Sequence, residues 1–236
     1  MFVFPMVGLS SRFFKAGYTV PKYELPLGGM PVFAHVVRSF EGYFECDHFR
    51  FVCRADHGAE RFIEGQLGSL GVANYSIVVL ASDTRGQAET VYHGTRDVSD
   101  DEELFIFNID TFRPGYRKPP FLGGCDGYLE VFHGDGEHWS FVGPGDDNRV
   151  LRTTEKQRIS ALCSDGLYYF RRKSDFDGAF TSAVRDNATQ QGEYYVAPLY
   201  NRLIAEGKLI KYDVVPRGEV VLCGTPAEYE ACLALR

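Results

Sequence analysis

The sequence predicts an α/β protein: a mostly parallel central sheet flanked by helices, Rossmann-like, with a smaller mixed β-rich portion. Three observations carry that expectation. Apolar runs alternate with stretches of helical periodicity through the first half, the pattern of βαβ units. Glycines and acidic residues fall just past the ends of those runs, at Gly8, residues 83–86 and Asp110. In the second half, short strand-like runs broken by Gly, Pro and Asp take over.

Residues 2–7 read as the first strand. Val32, Phe33, Val36, Val37 and Phe40 recur at helical spacing and predict a helix over 32–43. A strand over 49–54, a helix over 58–70, a strand over 75–80 and a helix over 87–96 follow. The strand over 104–109 stops at Asp110. Residues 127–132, 139–142, 150–154 and 167–171 read as short strands, 174–189 and 198–205 as helices, and Val214, Val215 and 220–222 as further β segments. The last helix, 226–235, has Thr225 as N-cap and Glu228 at the capping-box position. No repeat, low-complexity tract or linker interrupts the chain, so residues 1–236 read as a single domain whose later elements add a substrate-binding lobe. Ligands of open α/β sheets bind outside the carboxyl ends of the strands. Gly8, residues 83–86 and Asp110 should therefore converge on one crevice.

Lys and Arg number 25 against 32 Asp and Glu, a net charge of −7. That balance disfavours a nucleic-acid backbone or an anionic membrane as partner. No apolar run approaches the ~18 residues of a membrane span. The apolar start lacks a basic leader and reads as a strand rather than a signal peptide. The six cysteines, Cys46, Cys53, Cys125, Cys163, Cys223 and Cys232, form no CxxC pair. They read as reduced, buried thiols of a cytoplasmic protein. The abundant Phe and Tyr read mainly as core, with Tyr168, Tyr169, Tyr194 and Tyr195 as candidates to line the substrate lobe.

Three segments carry chemistry. Gly8, Leu9, Ser10, Ser11 and Arg12, with Lys15 and then Pro21-Lys22, form a long polar loop after the first strand. Gly8 lets the backbone approach a ligand, and the serines offer hydroxyls and N–H groups to phosphates. The loop is neither a Walker motif nor GxGxxG. Asp110 ends a very apolar strand, where its carboxylate suits a hard divalent cation that also touches phosphates. Gln87 follows Gly86 at a helix start, and its amide edge suits a nucleobase. His133 and His138 flank a glycine-rich acidic stretch that reads as a solvated hairpin turn. The other histidines match no metal spacing, and no Gly-x-Ser-x-Gly elbow is present.

In this order, Gly8-x-x-x-Arg12, Pro21-Lys22, Gly86-Gln87-Ala88 and Asp110 resemble the sugar-phosphate nucleotidyltransferase family, the makers of nucleoside-diphosphate sugars. Further along, Thr154-Glu155-Lys156, Gly166-Leu-Tyr-Tyr-Phe170, Gly192-Glu193-Tyr194 and Gly224-Thr225-Pro226 resemble later family segments, so the likeness covers most of the chain. Gly17-Tyr18-x-x-Pro21-Lys22 is similar to small capsule and lipopolysaccharide members. The resemblance implies transfer of a nucleotidyl group from UTP, dTTP or CTP to a phosphorylated small molecule, a sugar 1-phosphate by preference, with release of pyrophosphate. It implies catalytic roles for Arg12, Lys22 and Asp110, with Mg²⁺ on Asp110. Gly8, Leu9, Ser10, Ser11, Gly86 and Gln87 would bind the nucleotide in a half spanning 1–122. Glu155, Lys156 and Glu193 would bind the acceptor in a half spanning 123–236. A homo-oligomer is compatible with the family. Ser10 stands where many members have a second Gly. Leu222 stands where many have a second acidic metal ligand, so Asp110 is expected to be the one firm protein ligand, with phosphates and waters completing the coordination, and Glu219 and Asp213 are the first carboxylates to mutate if Mg²⁺ binds tightly without nucleotide. A glycosyltransferase of similar fold generally shows Asp-x-Asp, where this chain has Asn108-Ile109-Asp110. A nucleotide-binding regulatory protein without catalysis would fit Leu222 but not the retention of Arg12, Lys22 and Asp110.

Overall fold

Phe2, Val3 and Phe4 are fully buried, and alternate residues feed two separate cores: Phe2 and Phe4 one, Val3 the other. That is the signature of a central strand covered on both faces. In the computed structural model, which describes residues 1–235, the strand β1 (Phe2–Pro5) lies at the middle of a large mixed sheet. The loop after it holds a single turn of helix, α1 (Ser11–Lys15), and a two-residue ribbon of β2 (Pro26–Leu27) and β3 (Met30–Pro31) leads into α2 (Val32–Arg38). β4 (Phe49–Arg54), α3 (Ala59–Leu70), β5 (Tyr75–Leu80), α4 (Gln87–Gly94) and β6 (Leu104–Phe107) complete the first half. β1, β4, β5 and β6 are mutually parallel. α2 and α3 pack on one face of the sheet with the Phe2 core, α4 on the other with the Val3 core.

β7 (Thr111–Phe112) leaves the sheet, and β8 (Gly127–His133), β9 (Ser140–Pro144), β10 (Val150–Glu155) and β11 (Leu162–Phe170) follow. α5 (Lys173–Arg185) and α6 (Tyr200–Ala205) join the α4 face. β12 (Ile210–Val214), β13 (Val221–Leu222) and α7 (Pro226–Ala234) close the chain. β11 runs antiparallel to β6, β8 antiparallel to β11, and β12 parallel to β8. β9 meets β11 at Cys163, beyond the part of β11 that pairs with β6, and carries β10 on its outer side. β1 has β4 on one side and β6 on the other, so the chain reverses direction across the sheet between them. Such a switch point is where an open sheet leaves a crevice.

Several expectations change in detail. The helix expected over 32–43 ends at Arg38. There Ser39 Oγ donates back to His35 O at 3.2 Å and accepts from Arg113 N at 2.8 Å, and a separate 3₁₀ turn covers 41–43. Back-bonding serines end or bend helices in this way. β11 starts at Leu162 rather than 167, because Asp165 is buried within it and Gly166 takes up a bulge opposite β8. The stretch after His133 is not a hairpin turn, since β8 and β9 pair with β11 and not with each other. Cys46 is exposed, whereas the other five cysteines are buried as expected, and all are free thiols.

Candidate active site

The carboxyl ends of β1 and β6 open into a cleft of about 640 Å³. Every site residue named from the sequence, Gly8 to Arg12, Lys22, Gly86, Gln87, Asp110, Glu155, Lys156 and Glu193, borders it, while Lys15 does not.

One wall is made by the segment after β1. Ser10 takes a left-handed conformation (φ 50°) and caps α1, so the backbone of Gly8 to Ser11 faces the cleft with Arg12 exposed above it. Ser10 Oγ accepts from the Lys22 backbone N–H at 3.1 Å, which ties the two basic segments together. Lys22 Nζ then reaches Asp110 Oδ2 at 2.5 Å. Asp110 is fixed from behind: its carbonyl accepts from Cys223 N at 2.8 Å, where β13 pairs with β7. Glu228 closes this end. Its Oε2 accepts from Gly224 N at 3.0 Å, and its N–H donates to Thr225 Oγ1 at 3.3 Å. A Cβ on Gly224 would sit 2.8 Å from Asp110 Oδ2 and 3.6 Å from Glu228 Oε2, so both carboxylates flank one point. Glu219 pairs with Arg113 at 2.8 Å and Asp213 lies on β12, and neither borders the cleft. Neither is placed to stand in for an acid at Leu222, and the carboxylate beside Asp110 belongs to Glu228.

The base of the cleft is set by close backbone approach. Gly86 has φ 113°, and a Cβ there would lie 2.7 Å from Tyr194 O. This lets the turn before α4 bond to the segment at 194, with Ala88 N donating to Tyr194 O and Tyr194 N to Arg85 O. Gln87 Nε2 donates to Asn108 Oδ1 at 2.5 Å. Asn108 in turn packs against Gly166, where a Cβ would come within 2.0 Å of its Nδ2.

The opposite wall is built on strands. Glu155, at the end of β10, is buried, and Ser140 Oγ donates to its carboxylate. Burial raises the Glu155 pKa above the ordinary carboxylate value, and the Ser140 hydrogen bond partly offsets this. Lys156 Nζ donates to Tyr195 Oη at 2.6 Å and to Gln191 Oε1 at 3.0 Å. Trp139, Ser140, Ser164, Asp165 and Tyr168 line the floor between them. Of the four tyrosines singled out, Tyr168 and Tyr195 border the cleft. Tyr169 is buried against Phe105 and bonds Glu103, and Tyr194 is buried beneath Arg85.

Sequence reasoning missed Asn108, Trp139, Asp165 and Glu228, and set His138 aside as part of a turn, although it borders the cleft. Asp165 had a signal: an acid inside an apolar strand. Glu228 was visible only as a helix cap.

No protein-family model matches the chain, and no curated protein does. Solved structures do. A nucleoside-diphosphate-sugar pyrophosphorylase from Vibrio cholerae RC9 is 44% identical, with a TM-score of 0.95 over 99% of this chain and 100% of that one. A Bacillus anthracis protein described as a glucose-1-phosphate thymidylyltransferase, solved with sucrose, is 15% identical, with a TM-score of 0.77 over 99% and 93%. An inositol-1-phosphate CTP transferase from T. maritima is 15% identical, with a TM-score of 0.74 over 99% and 94%. The last two likenesses establish the fold alone.

Proposed function

The chain belongs to the nucleoside-diphosphate-sugar pyrophosphorylases, a nucleotidyltransferase family, and from that premise we propose how its own residues run the reaction. A nucleoside triphosphate, UTP, dTTP or CTP, gives its nucleotidyl group to a sugar 1-phosphate, and pyrophosphate leaves. The observation that carries the assignment is the Lys22–Asp110 pair at 2.5 Å, set at the switch point beside the exposed Arg12.

The attacking phosphate is already ionised, so no general base is required. Alignment and charge neutralisation supply the rate. Arg12 holds the departing pyrophosphate. Lys22 leaves Asp110 to bridge the α-phosphate and the incoming phosphate. Gly8, Leu9, Ser10 and Ser11 present backbone and hydroxyl donors to the triphosphate, and Gly86 and Gln87 frame the base. Glu155, Lys156 and Glu193 meet the sugar. Residues 1–122 thus form the nucleotide half and 123–236 the acceptor half of one domain.

Among the described residues no three His, Cys, Asp or Glu side chains form a ready metal cage. The donor set at Asp110 is all oxygen, with Glu228 beside it. That suits Mg²⁺, which keeps several waters and takes one or two carboxylates plus substrate phosphates. Bound there, Mg²⁺ would supply charge neutralisation between the phosphates. Among the described residues no helix is long and apolar enough to cross a membrane. A cytoplasmic, self-associating enzyme that supplies nucleotide sugars for capsule or lipopolysaccharide is the wider setting we propose, on the likeness of residues 17–22 to small members of that group.

Pyrophosphate release, assayed across triphosphates and sugar 1-phosphates with Mg²⁺, tests the reading. Release that requires both substrates is expected. Release of a nucleoside diphosphate from a nucleotide sugar, or nucleotide binding without turnover, would favour the glycosyltransferase or the inactive binding protein.

A further inference from the structure

The acceptor end of the cleft offers hydroxyls, carboxylates and one ammonium, and one side chain of another kind. Trp139, the single tryptophan of the chain, is half-buried and borders the cleft beside the groups assigned to the acceptor. Its carbonyl accepts from Lys156 N at 2.8 Å, and the next residue, Ser140, holds Glu155 through its hydroxyl. The indole is fixed before any ligand arrives. Phe132 meets it edge-to-face at 5.3 Å between centroids, His138 lies against it at 4.2 Å, and its Nε1–H donates to Asp135 O at 2.9 Å. The segment that carries it is pinned in turn, since Arg158 donates to Gly134 O at 3.1 Å and to Gly136 O at 2.9 Å.

An indole has one hydrogen-bond donor and no acceptor. That donor is spent inside the protein, so what Trp139 presents to the cleft is ring carbon. Phosphate transfer has no use for such a surface. A sugar ring does. Its hydroxyls stand around the rim, while the C–H bonds of one face form an apolar patch that suits the electron-rich face of an aromatic ring. Ligand sites for such molecules combine aromatic surface with a few placed polar groups, and here Ser140, Glu155 and Lys156 are those groups, each tied by a hydrogen bond to Trp139 or to its neighbour.

We propose that Trp139 is a specificity-determining residue: the sugar ring of the acceptor stacks a C–H face on the indole, with its hydroxyls toward Ser140, Glu155 and Lys156. The proposal rests on the sugar 1-phosphate reading above. An axial hydroxyl on the stacked face would lift the ring off the indole, so the platform chooses among epimers by the shape of one ring face. Because the indole is already held by Phe132, His138 and Asp135, little ordering is left to be done when the sugar binds.

With one tryptophan in the chain, fluorescence reports on this ring alone. Wild type is titrated with the 1-phosphates of glucose, galactose, mannose and glucosamine, in the presence of Mg²⁺ and the α,β-methylene analogue of the triphosphate. The sugar phosphate with the lowest KM should shift the emission to the blue and protect the indole from acrylamide. The analogue and Mg²⁺ alone should do neither, nor should sorbitol 6-phosphate, which has the hydroxyls without the ring. In turnover assays Trp139→Leu should raise KM for that sugar phosphate about tenfold, with kcat and KM for the triphosphate unchanged, and Trp139→Phe should recover most of the loss. The preference of wild type among the epimers should shrink in Trp139→Leu. Emission that ignores a sugar phosphate the enzyme turns over, an unchanged KM in Trp139→Leu, or a loss equal for every epimer would overturn the proposal. Should Trp139→Leu fail to fold, the wild-type titration and Trp139→Phe decide alone. Absence of turnover with every sugar phosphate would instead overturn the reading beneath it.

Discussion

The two walls of the cleft solve opposite problems with opposite materials. The wall after β1 carries its charge on a loop and a five-residue helix, with Arg12 exposed and Lys22 about a quarter exposed and paired to Asp110. The wall on β10 and β11 carries buried carboxyls, Glu155 and Asp165, held by strands and backed by the Arg113 network. Phosphates move and change charge during transfer, and loop cations can follow them from one partner to the next. A sugar's stereochemistry is fixed, so its reading groups can be locked in place before it arrives. Preorganised groups of that kind avoid reorganisation on binding.

Substitutions sharpen the contrast. The largest expected effect is on the strand wall and on stability. Arg113→Met leaves Glu130 and Asp165 buried without their cation and should cost about 3–5 kcal/mol in urea unfolding. A loss below about 1 kcal/mol would mean the network is not what holds that wall. On the loop wall the effect should move from stability to rate. Arg12→Ala should leave stability within about 0.5 kcal/mol while cutting turnover roughly 10²–10³-fold, as when a charge-stabilising donor is lost. Lys22→Ala should cut turnover similarly but cost about 1 kcal/mol, because its partly buried pairing with Asp110 is lost too. Near-normal turnover in either variant would remove that residue from the site.

Gly166→Ala tests where the walls meet. It places a Cβ 2.0 Å from Asn108 Nδ2 at φ 96° and should destabilise by roughly 1–3 kcal/mol. It should also weaken nucleotide binding through Gln87, which Asn108 holds, and a stability loss with unchanged nucleotide affinity would uncouple the two. The smallest effect is on pH dependence. The folded-state pKa of Asp165 is raised above its ordinary 3.8. The folded chain therefore holds that proton more tightly than the unfolded one, and its contribution is full below pH ~4 and lost as pH rises toward the folded value. Asp165→Asn should gain on wild type progressively as pH rises above about 4 in urea unfolding. Parallel curves would show that Asp165 ionises normally.

The loop wall was legible in the sequence because its chemistry is local: Gly8 to Arg12, Pro21-Lys22 and Gly86-Gln87 are short runs at strand ends. The parallel half of the sheet was legible for the same reason, as its strands and helices alternate within a few tens of residues. The acceptor wall was not. Asp165 and Gly166 looked like a break between strands, since only the bulge opposite β8 lets a strand hold them. His138 looked like a turn and Trp139 like the start of a short strand paired across it, since β11 lies between β8 and β9 in space but after both in sequence. Glu228 read as a cap, which it is, and only folding brings its carboxylate beside Asp110.

The most direct test of the account is the fate of the oxygen that joins the sugar to its phosphate. With ¹⁸O in the C1–O–P bridge of the sugar 1-phosphate, a triphosphate and Mg²⁺, ³¹P NMR and mass analysis of the products should find the label wholly in the nucleoside-diphosphate sugar. The pyrophosphate should be unlabelled and equimolar with it, because the acceptor phosphate attacks the α-phosphorus and the sugar–oxygen bond is never broken. Loss of the bridging label, or a nucleoside diphosphate in place of pyrophosphate, would show that bonds at the sugar carbon break instead, and the roles given to Arg12, Lys22 and Asp110 would fall.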